Sequence, residues 1–303
     1  MGAKVSVIIV AYRNGQVLKD SLDSLQQFND PGPDLEVIVV DNSPEEERVL
    51  SFVRDSAFPD IRYIPADNRG FGAGNNIGAK AASGEILCFM NPDIIYIEPV
   101  FGKVRQRFQE DRDLMLAGGK LLNADGAPGF SFYYDYSSDR LHRTLDKVQN
   151  KRDHFIPEKM YTSGANLFVR REAFFAAGMF DENIFMYYEE PDLIRRIRET
   201  VPGARNGYFP EVRMIHLERQ STPVGTGSLK RELDSSIYYG KKYGLDVRKK
   251  IRFEWSYLRL KRSLGKLMKK SSDEMKWLNE AIRFIEEHYG EYFQAQAGRE
   301  KHL

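Results

Sequence analysis

The first third of the chain alternates short apolar runs with amphipathic stretches. The runs Val5–Ala11, Leu35–Val40 and Ile86–Met90 are almost wholly apolar, which is typical of strands buried on both faces. Between them, residues 16–28 and 74–82 carry apolar side chains at helical spacing. This strand–helix–strand order predicts a mainly parallel sheet with helices on both faces, and therefore an α/β fold.

The pattern loosens after residue 110. Leu114–Leu122 and residues 160–170 are strand-like, and Val212–His216 predicts a late strand. Residues 130–160 are aromatic and charged without a clear period, as expected of a region that faces a substrate. From Lys230 onward helical periodicity prevails, so we expect a helical C-terminal extension.

Composition indicates a globular chain, with 42% hydrophobic and 29% charged residues among 303. The single cysteine, Cys88, lies inside an apolar run, where we expect a buried thiol and no disulfide framework. A strand begins almost at the N-terminus, in place of a signal-peptide pattern. No run approaches the roughly 20 apolar residues of a membrane span. We therefore expect a cytoplasmic protein.

The net charge of +1 hides a basic segment. Residues 247–270 contain ten Lys or Arg and one acid, a charge of +9, which leaves −8 for the rest. Phe253, Tyr257, Leu260, Leu264 and Leu267 form an apolar stripe within it. This pattern predicts docking on the inner face of an anionic membrane. The alternatives are packing on the main domain or formation of an oligomer, and since no nucleic-acid-binding module accompanies the segment, we expect no nucleic-acid partner.

Three acidic sites follow strand-like runs or open a helix. Asp41 follows the second long strand, Asp93 follows the third, and Glu189-Glu190 opens a later helix. Ligands of open α/β sheets bind beyond the carboxyl ends of the strands, so these acids are expected to face a cleft. Each alone has an ordinary explanation as a turn residue or a helix start. Together, in this order, they indicate a nucleotide-sugar site.

The residue types suit that chemistry. Asp41 can accept a hydrogen bond from a pyrimidine or a ribose hydroxyl. The glycine-rich residues 67–78 can bring main-chain N–H groups close to a phosphate, although their spacing fits neither the dinucleotide fingerprint nor a P-loop, and a purely packed loop is the alternative. Asn91 and Asp93 have the spacing of a site for Mg²⁺ or Mn²⁺. His216 is a third candidate ligand, with a structural or exposed histidine as the alternative.

The helix that begins near Pro191 is the most specific segment. Proline suits the first helical position, which predicts Glu190 at the N-cap. Asp192 then falls in the first turn, where it can pair with Arg196.

Taken together, these segments resemble the inverting family-2 glycosyltransferases of the GT-A fold, above all the rhamnosyltransferase-like enzymes of bacterial surface polysaccharide synthesis. The resemblance covers residues 4–245. The matching segments are residues 5–14, 39–43, 68–78, 91–93, 163–165, 178–182, 185–190, 192–196, 215–216 and 235–242.

The resemblance implies roles for single residues. Glu190 would be the catalytic base, with Asp192 in support, and Asp93 and His216 would bind Mg²⁺ or Mn²⁺. The donor, a nucleoside-diphosphate sugar with dTDP-rhamnose or a UDP-sugar favoured, would contact Ala11, Tyr12, Asn14, Asp41, Asn68, Gly70, Asn76 and Asn91. The acceptor would be a saccharide or a lipid-linked sugar.

Two departures from the family pattern stand out, since Asn91 replaces an acid and Glu190 replaces the more usual Asp. The resemblance also implies a domain over residues 1–245, with a nucleotide-binding half (1–110) and an acceptor-binding half (111–245), before the extension 246–303. Two other functions fit the same broad pattern. A sugar nucleotidyltransferase would carry a longer basic glycine-rich loop near the N-terminus, and a non-catalytic binding protein would not need Glu190, Asp192 and Asp93 together.

Overall fold

An eight-stranded mixed sheet forms the centre of the protein. The computed structural model describes residues 4–136, 140–217, 225–268 and 270–293, without the side chains of 140–142. The last ten residues of the predicted extension, and Lys269 of its basic segment, lie outside this range.

In chain order, the strands are β1 Val5–Ala11, β2 Leu35–Asp41, β3 Arg62–Pro65, β4 Ile86–Met90, β5 Ile94–Tyr96, β6 Leu114–Leu122, β7 Phe132–Tyr134, β8 Met160–Thr162, β9 Asn166–Arg170 and β10 Arg205–His216. The helices are α1 Gly15–Gln27, α2 Leu50–Arg54, α3 Phe71–Ala81, α4 Phe101–Glu110, α5 Arg140–Lys151, α6 Arg171–Ala176, α7 Glu189–Thr200, α8 Thr226–Lys242, α9 Val247–Leu267 and α10 Ser272–His288.

The strand order of the large sheet is β3-β2-β1-β4-β9-β6-β10-β5. The first four strands run parallel, and β9 pairs antiparallel with both β4 and β6. The chain leaves β1 toward β2 on one side and returns to β4 on the other. Such a reversal opens a crevice at the carboxyl ends of the strands, here at Ala11 and Met90. The predicted mainly parallel α/β sheet is confirmed.

Helices cover both faces of this sheet. Val7 and Ile9 of β1 belong to the core that α1 and α4 complete. Ile8 and Val10, which point the opposite way, belong to the core that α6 and α7 complete. The apolar run of β1 therefore reflects burial on two sides, as its sequence predicted.

The chain separates into two compact units, Met1–Asp135 with Leu145–Thr222, and Tyr136–Thr144 with Pro223–Leu303. Helix α8 belongs to the second unit, because its Leu233 packs with Val247 and Ile251 of α9. The domain boundary predicted after residue 245 stays a prediction. Within the described residues, no helix has the length and apolar character needed to cross a bilayer.

The structure corrects several predicted elements. Residues 45–55 form a short 3-10 turn at Glu45–Glu47 and the brief α2. The aperiodic region 130–160 contains β7 and α5, and β7 pairs with β8 in a separate two-stranded sheet. Alternation over three residues is too short to predict such a strand from sequence.

Candidate active site

The ends of β1 and β2 lie side by side at the crevice. Ala11 is buried and pairs with Asp41 in register, while Tyr12 is 37% exposed just beyond it. Asn14 accepts a hydrogen bond from the Tyr12 main chain through Oδ1 at 3.1 Å, and its carbonyl caps α1. The loop after β1 is therefore held in shape by Asn14, and Tyr12 is presented to solvent.

Asp41 is fully buried and anchors the loop that follows β2. Its Oδ1 accepts from Ser43 N at 2.9 Å, and its Oδ2 accepts from Val49 N at 2.8 Å and from the Tyr63 hydroxyl at 2.5 Å. Burial, together with the Asp41 carboxylate, raises the pKa of Tyr63 to about 12. These bonds are a structural role that sequence reasoning missed, and contact with a nucleoside stays a prediction.

The glycine-rich segment packs against the chain just before α7. Gly70 has φ of 109°, and a Cβ there would lie 2.5 Å from the Phe185 carbonyl oxygen, so this position requires glycine. The neighbouring Phe71 N–H donates to the same carbonyl at 2.8 Å. Asn68 is exposed and accepts from Gly70 N at 3.3 Å.

Asn76 joins α3 to the segment that leads to α7. It accepts from Phe180 N at 3.0 Å, and it donates to the Phe180 carbonyl at 3.0 Å and to Glu182 Oε1 at 3.2 Å. The side chain is 1% exposed. It has a structural role that sequence reasoning did not anticipate, and the predicted contact with the sugar nucleotide remains untested.

Asp93 and His216 meet at the end of the sheet. The pairing of β5 with β10 sets His216 opposite Ile94, and the Nε2 atom of His216 lies 3.3 Å from Oδ1 of Asp93. Asn91 is held nearby, since its N–H donates to the Ala165 carbonyl at 2.8 Å. The sequence placed these two side chains 123 residues apart, and the fold brings them together.

The chemistry of this pair fits a divalent cation. Asp93 is 1% exposed, and its Oδ1 receives no hydrogen bond from the described residues. A buried carboxylate oxygen is costly without a partner, and carboxylate and imidazole are both ligands for Mn²⁺. Among the described residues no third His, Cys, Asp or Glu completes a cluster, so the pair alone forms a partial coordination sphere.

Helix α7 begins earlier than its proline suggests. Tyr188 occupies the N-cap in the left-handed conformation, with φ of 74°, and Tyr187 before it has φ of 73°. The predicted N-cap at Glu190 is therefore wrong, because Glu190 lies inside the first turn. Pro191, the third residue of α7, is compatible with this start, because the first N–H groups of a helix have no acceptor within the helix and none is lost at a proline there. Two consecutive positive-φ tyrosines also mark a strained backbone at the site.

The carboxylate of Glu190 is held by a main-chain donor. Gly164 N donates to its Oε1 at 2.8 Å from the loop between β8 and β9. Burial raises the pKa of Glu190, and the main-chain N–H groups of Glu190 and Gly164 partly oppose this effect. Sequence comparison had included Gly164 in the resemblance without giving it a role. The sequence signal that could have pointed to this role was the glycine itself, in a loop between two predicted strand segments.

Glu189 is a second buried carboxyl beside Glu190. It is 2% exposed, and its Oε1 accepts no hydrogen bond from the described residues. It lies against the first turn of α3, because a Cβ on Gly72 would be 3.6 Å from its Cγ. Burial, and then the Glu190 charge, raise the pKa of Glu189 well above its ordinary value. The neutral form is therefore favoured more strongly at Glu189 than at an ordinary, solvent-exposed glutamate.

Asp192 supports the helix, as predicted. It is fully buried, and Nε of Arg196 donates to its Oδ2 at 2.8 Å, while Nη2 of the same guanidinium forms an ion pair with that oxygen at 2.7 Å. The Arg196 guanidinium also donates to the carbonyl of Ala177, which ties α7 to α6.

A row of aromatic rings lies on one face of the β7–β8 sheet. Phe130 and Tyr133 stack at 5.7 Å between centroids and 7° between planes, and Tyr133 meets Tyr161 at 5.7 Å. Phe132 and Thr162, on the opposite face, are buried. Burial, followed by the Glu190 charge, raises the pKa of the Tyr161 hydroxyl. Gly164, whose N–H donates to Glu190, follows Tyr161 by three residues.

Curated proteins of glycan synthesis align with this chain. The rhamnosyltransferase WbbL of Escherichia coli (strain K12) is 27% identical over 229 residues, which cover 70% of this chain and 83% of WbbL. The uncharacterized glycosyltransferase YfnE of Bacillus subtilis is 31% identical over 148 residues, covering 48% of this chain and 36% of YfnE. The Staphylococcus aureus enzyme TarS is 24% identical over 55% of this chain, and the aligned region covers 32% of TarS. The chain thus spans only about a third of the length of YfnE and of TarS.

Solved structures share the fold at low identity. Mannosyltransferase PcManGT from Pyrobaculum calidifontis, in complex with GDP-Man and Mn²⁺, has a TM-score of 0.58 at 15% identity over 94% of this chain and 86% of its own. GalNAc-T7, with UDP, GalNAc and Mn²⁺, has a TM-score of 0.59 at 17% identity over 95% of this chain and 58% of its own. These likenesses confirm the GT-A type fold.

A family model described as Glycosyl transferase family 2 matches residues 6–175, more than half of the chain. Because this match covers more than half of the residues, the chain belongs to glycosyl transferase family 2.

Proposed function

We propose that this protein transfers a glycosyl group from a nucleoside-diphosphate sugar to a hydroxyl group of a saccharide or lipid-linked acceptor, with inversion at the anomeric carbon. The observation that carries the proposal is the Glu190 carboxylate, oriented by Gly164 N at 2.8 Å in the same crevice region as the Asp93–His216 pair. A positioned carboxylate with a raised pKa suits general-base catalysis.

Glu190 would remove the proton from the acceptor hydroxyl as that oxygen attacks the anomeric carbon. The bond from the sugar to the diphosphate breaks on the opposite side, which gives inversion. Burial and the Glu190 charge raise the pKa of the neighbouring Glu189, which favours its neutral form and limits the negative charge beside the base. Asp93 and His216 would hold Mg²⁺ or Mn²⁺, which when bound supplies positive charge against the departing diphosphate.

The aromatic row supports a sugar acceptor. Sugar rings carry apolar C–H faces that pack on aromatic side chains, and hydroxyl groups that a nearby base can deprotonate. Phe130, Tyr133 and Tyr161 form such a surface, and the loop that follows Tyr161 binds the Glu190 carboxylate through Gly164 N. The neighbouring family members act in glycan synthesis, in agreement with a saccharide acceptor.

The donor is proposed to be a deoxythymidine- or uridine-diphosphate sugar, with dTDP-L-rhamnose first because WbbL is a rhamnosyltransferase. A thermal-shift screen of sugar nucleotides with Mn²⁺ tests this, since a ligand that binds the native state raises the apparent stability. Mass spectrometry of reactions with the best donor then identifies the transferred sugar. Transfer from GDP-mannose alone would refute the proposed donor, and stabilisation without any transfer would favour a binding protein.

A further inference from the structure

The last turn of α9 carries the most exposed large apolar side chains among the described residues. Leu264, Leu267 and Met268 are 45%, 80% and 70% exposed, whereas the other exposed large apolar residues reach at most 38%. Their spacing of three and four places them together on the helix surface. We call these three residues the α9 tip. Contiguous exposed apolar surface of this kind marks an interaction site.

The rest of the predicted apolar stripe is covered. Phe253 is buried, and the Arg143 guanidinium lies 5.2 Å from its ring centroid and 4.5 Å from that of Tyr257. Arg143 also pairs with the buried Glu254 at 2.5 Å. The stripe was therefore too long in the sequence prediction, because its first half packs within the second unit.

The opposite face of α9 packs against α10, and this packing determines the direction in which the α9 tip points. A Cβ on Gly265 would lie 2.9 Å from the sulfur of Met275, so α9 and α10 are in close contact there. Ile251 and Leu258 continue that packing along α9. Leu267, two residues after Gly265, lies about 200° around the helix and faces away from α10.

The net charge of the segment around the α9 tip is positive. Residues 259–270 contain six basic residues and no acid. Lys261 and Lys266 are exposed. Asp273 and Glu274 follow in the first turn of α10, where Lys270 pairs with Glu274, so residues 259–274 keep a charge of +4 from six bases and two acids.

We propose that the α9 tip inserts into an anionic lipid surface, with the surrounding lysines against the headgroups. Three projecting side chains are too few for the roughly 800 Å² per partner of a stable protein interface. They suffice for a helix end that enters a bilayer interface when basic residues add attraction to acidic lipids. The long lysine stems can follow the apolar residues inward while their charges stay at the headgroups.

Co-sedimentation of the full chain with vesicles tests this proposal. We expect binding to vesicles that mix phosphatidylcholine with phosphatidylglycerol at low salt, little binding to phosphatidylcholine alone, and release at high salt. The double variant Leu267→Ser/Met268→Ser should lower partitioning at least tenfold. Lys261→Glu/Lys266→Glu should also lower it, by about fivefold or more for each charge removed from the surface.

The matched control is Ile97→Ser/Val148→Ser, which removes two exposed apolar side chains elsewhere and should bind vesicles like the parent. Circular dichroism melts establish that every variant is folded. The proposal is overturned if the parent ignores anionic vesicles at low salt, or if the Leu267/Met268 variant binds them equally well. It is also overturned, in favour of a second copy of the chain, if the tip residues drive a dimer in sedimentation velocity while vesicles do not bind.

Discussion

The main-chain N–H of Gly164 donates to Oε1 of Glu190 at 2.8 Å, and no side chain fits between them. A Cβ on Gly164 would lie 2.0 Å from that oxygen. The loop between β8 and β9 thus sets the position of the candidate base. In the same loop, the carbonyl of Ala165 accepts a hydrogen bond from Asn91 N.

Gly164→Ala should therefore displace Glu190 and lower kcat strongly, with donor affinity little changed, because no predicted donor contact is altered. Kinetics with the identified donor, together with calorimetry of nucleotide binding, measure the two effects separately. Gly290→Ala, where a Cβ meets nothing within 4 Å and the backbone is not left-handed, is the control for a glycine change. An unchanged kcat in Gly164→Ala would mean that this contact does not position the base.

Glu190→Gln should retain donor binding and lose about 10²–10⁴-fold in turnover, since an amide cannot accept the acceptor proton. Asp192→Asn should be less damaging, because Asp192 acts through Arg196 on the helix. In the parent protein, activity should fall as pH decreases through the raised pKa of Glu190, above the 4.5 of an ordinary glutamate. A larger loss of turnover in Asp192→Asn than in Glu190→Gln would reverse the two assignments.

Glu189→Gln should leave turnover and stability close to those of the parent. Burial raises the pKa of Glu189 and so favours the neutral carboxyl, and an amide matches that form in charge and volume. Glu189→Ala should lower stability by about 1–3 kcal/mol, because it opens a cavity beside α3. Thermal melts and initial rates check both. If Glu189→Gln abolishes turnover while the protein stays folded, Glu189 acts as a charged group and the proton lies on Glu190.

The sequence predicted the strands that surround the site, but it did not predict the side-chain contacts within the site. The apolar runs of β1, β2 and β4 predicted the parallel core, because burial on both faces leaves a continuous hydrophobic signature. The start of α7 was misplaced, because proline at the third helical position is as acceptable as at the first, and two left-handed tyrosines have no sequence signal. The bonds of Asp41 to Val49 and Tyr63 depend on tertiary packing, which spacing along the chain does not encode.

Asp93→Ala should weaken the binding of UDP or dTDP in the presence of Mn²⁺ and remove most of the difference that Mn²⁺ makes. Asp93 Oδ1 is buried 3.3 Å from His216 Nε2 and receives no hydrogen bond from the described residues. An oxygen in this position is suited to bind a cation. His216→Ala should have a smaller effect in the same direction, because a neutral ligand contributes less electrostatic attraction. Calorimetry with Mn²⁺ and with EDTA measures these affinities, and Asp125→Ala in an exposed turn is the carboxylate control. Equal nucleotide affinity with Mn²⁺ and EDTA in the parent, together with parent-like affinity in Asp93→Ala, would show that these residues do not hold a metal.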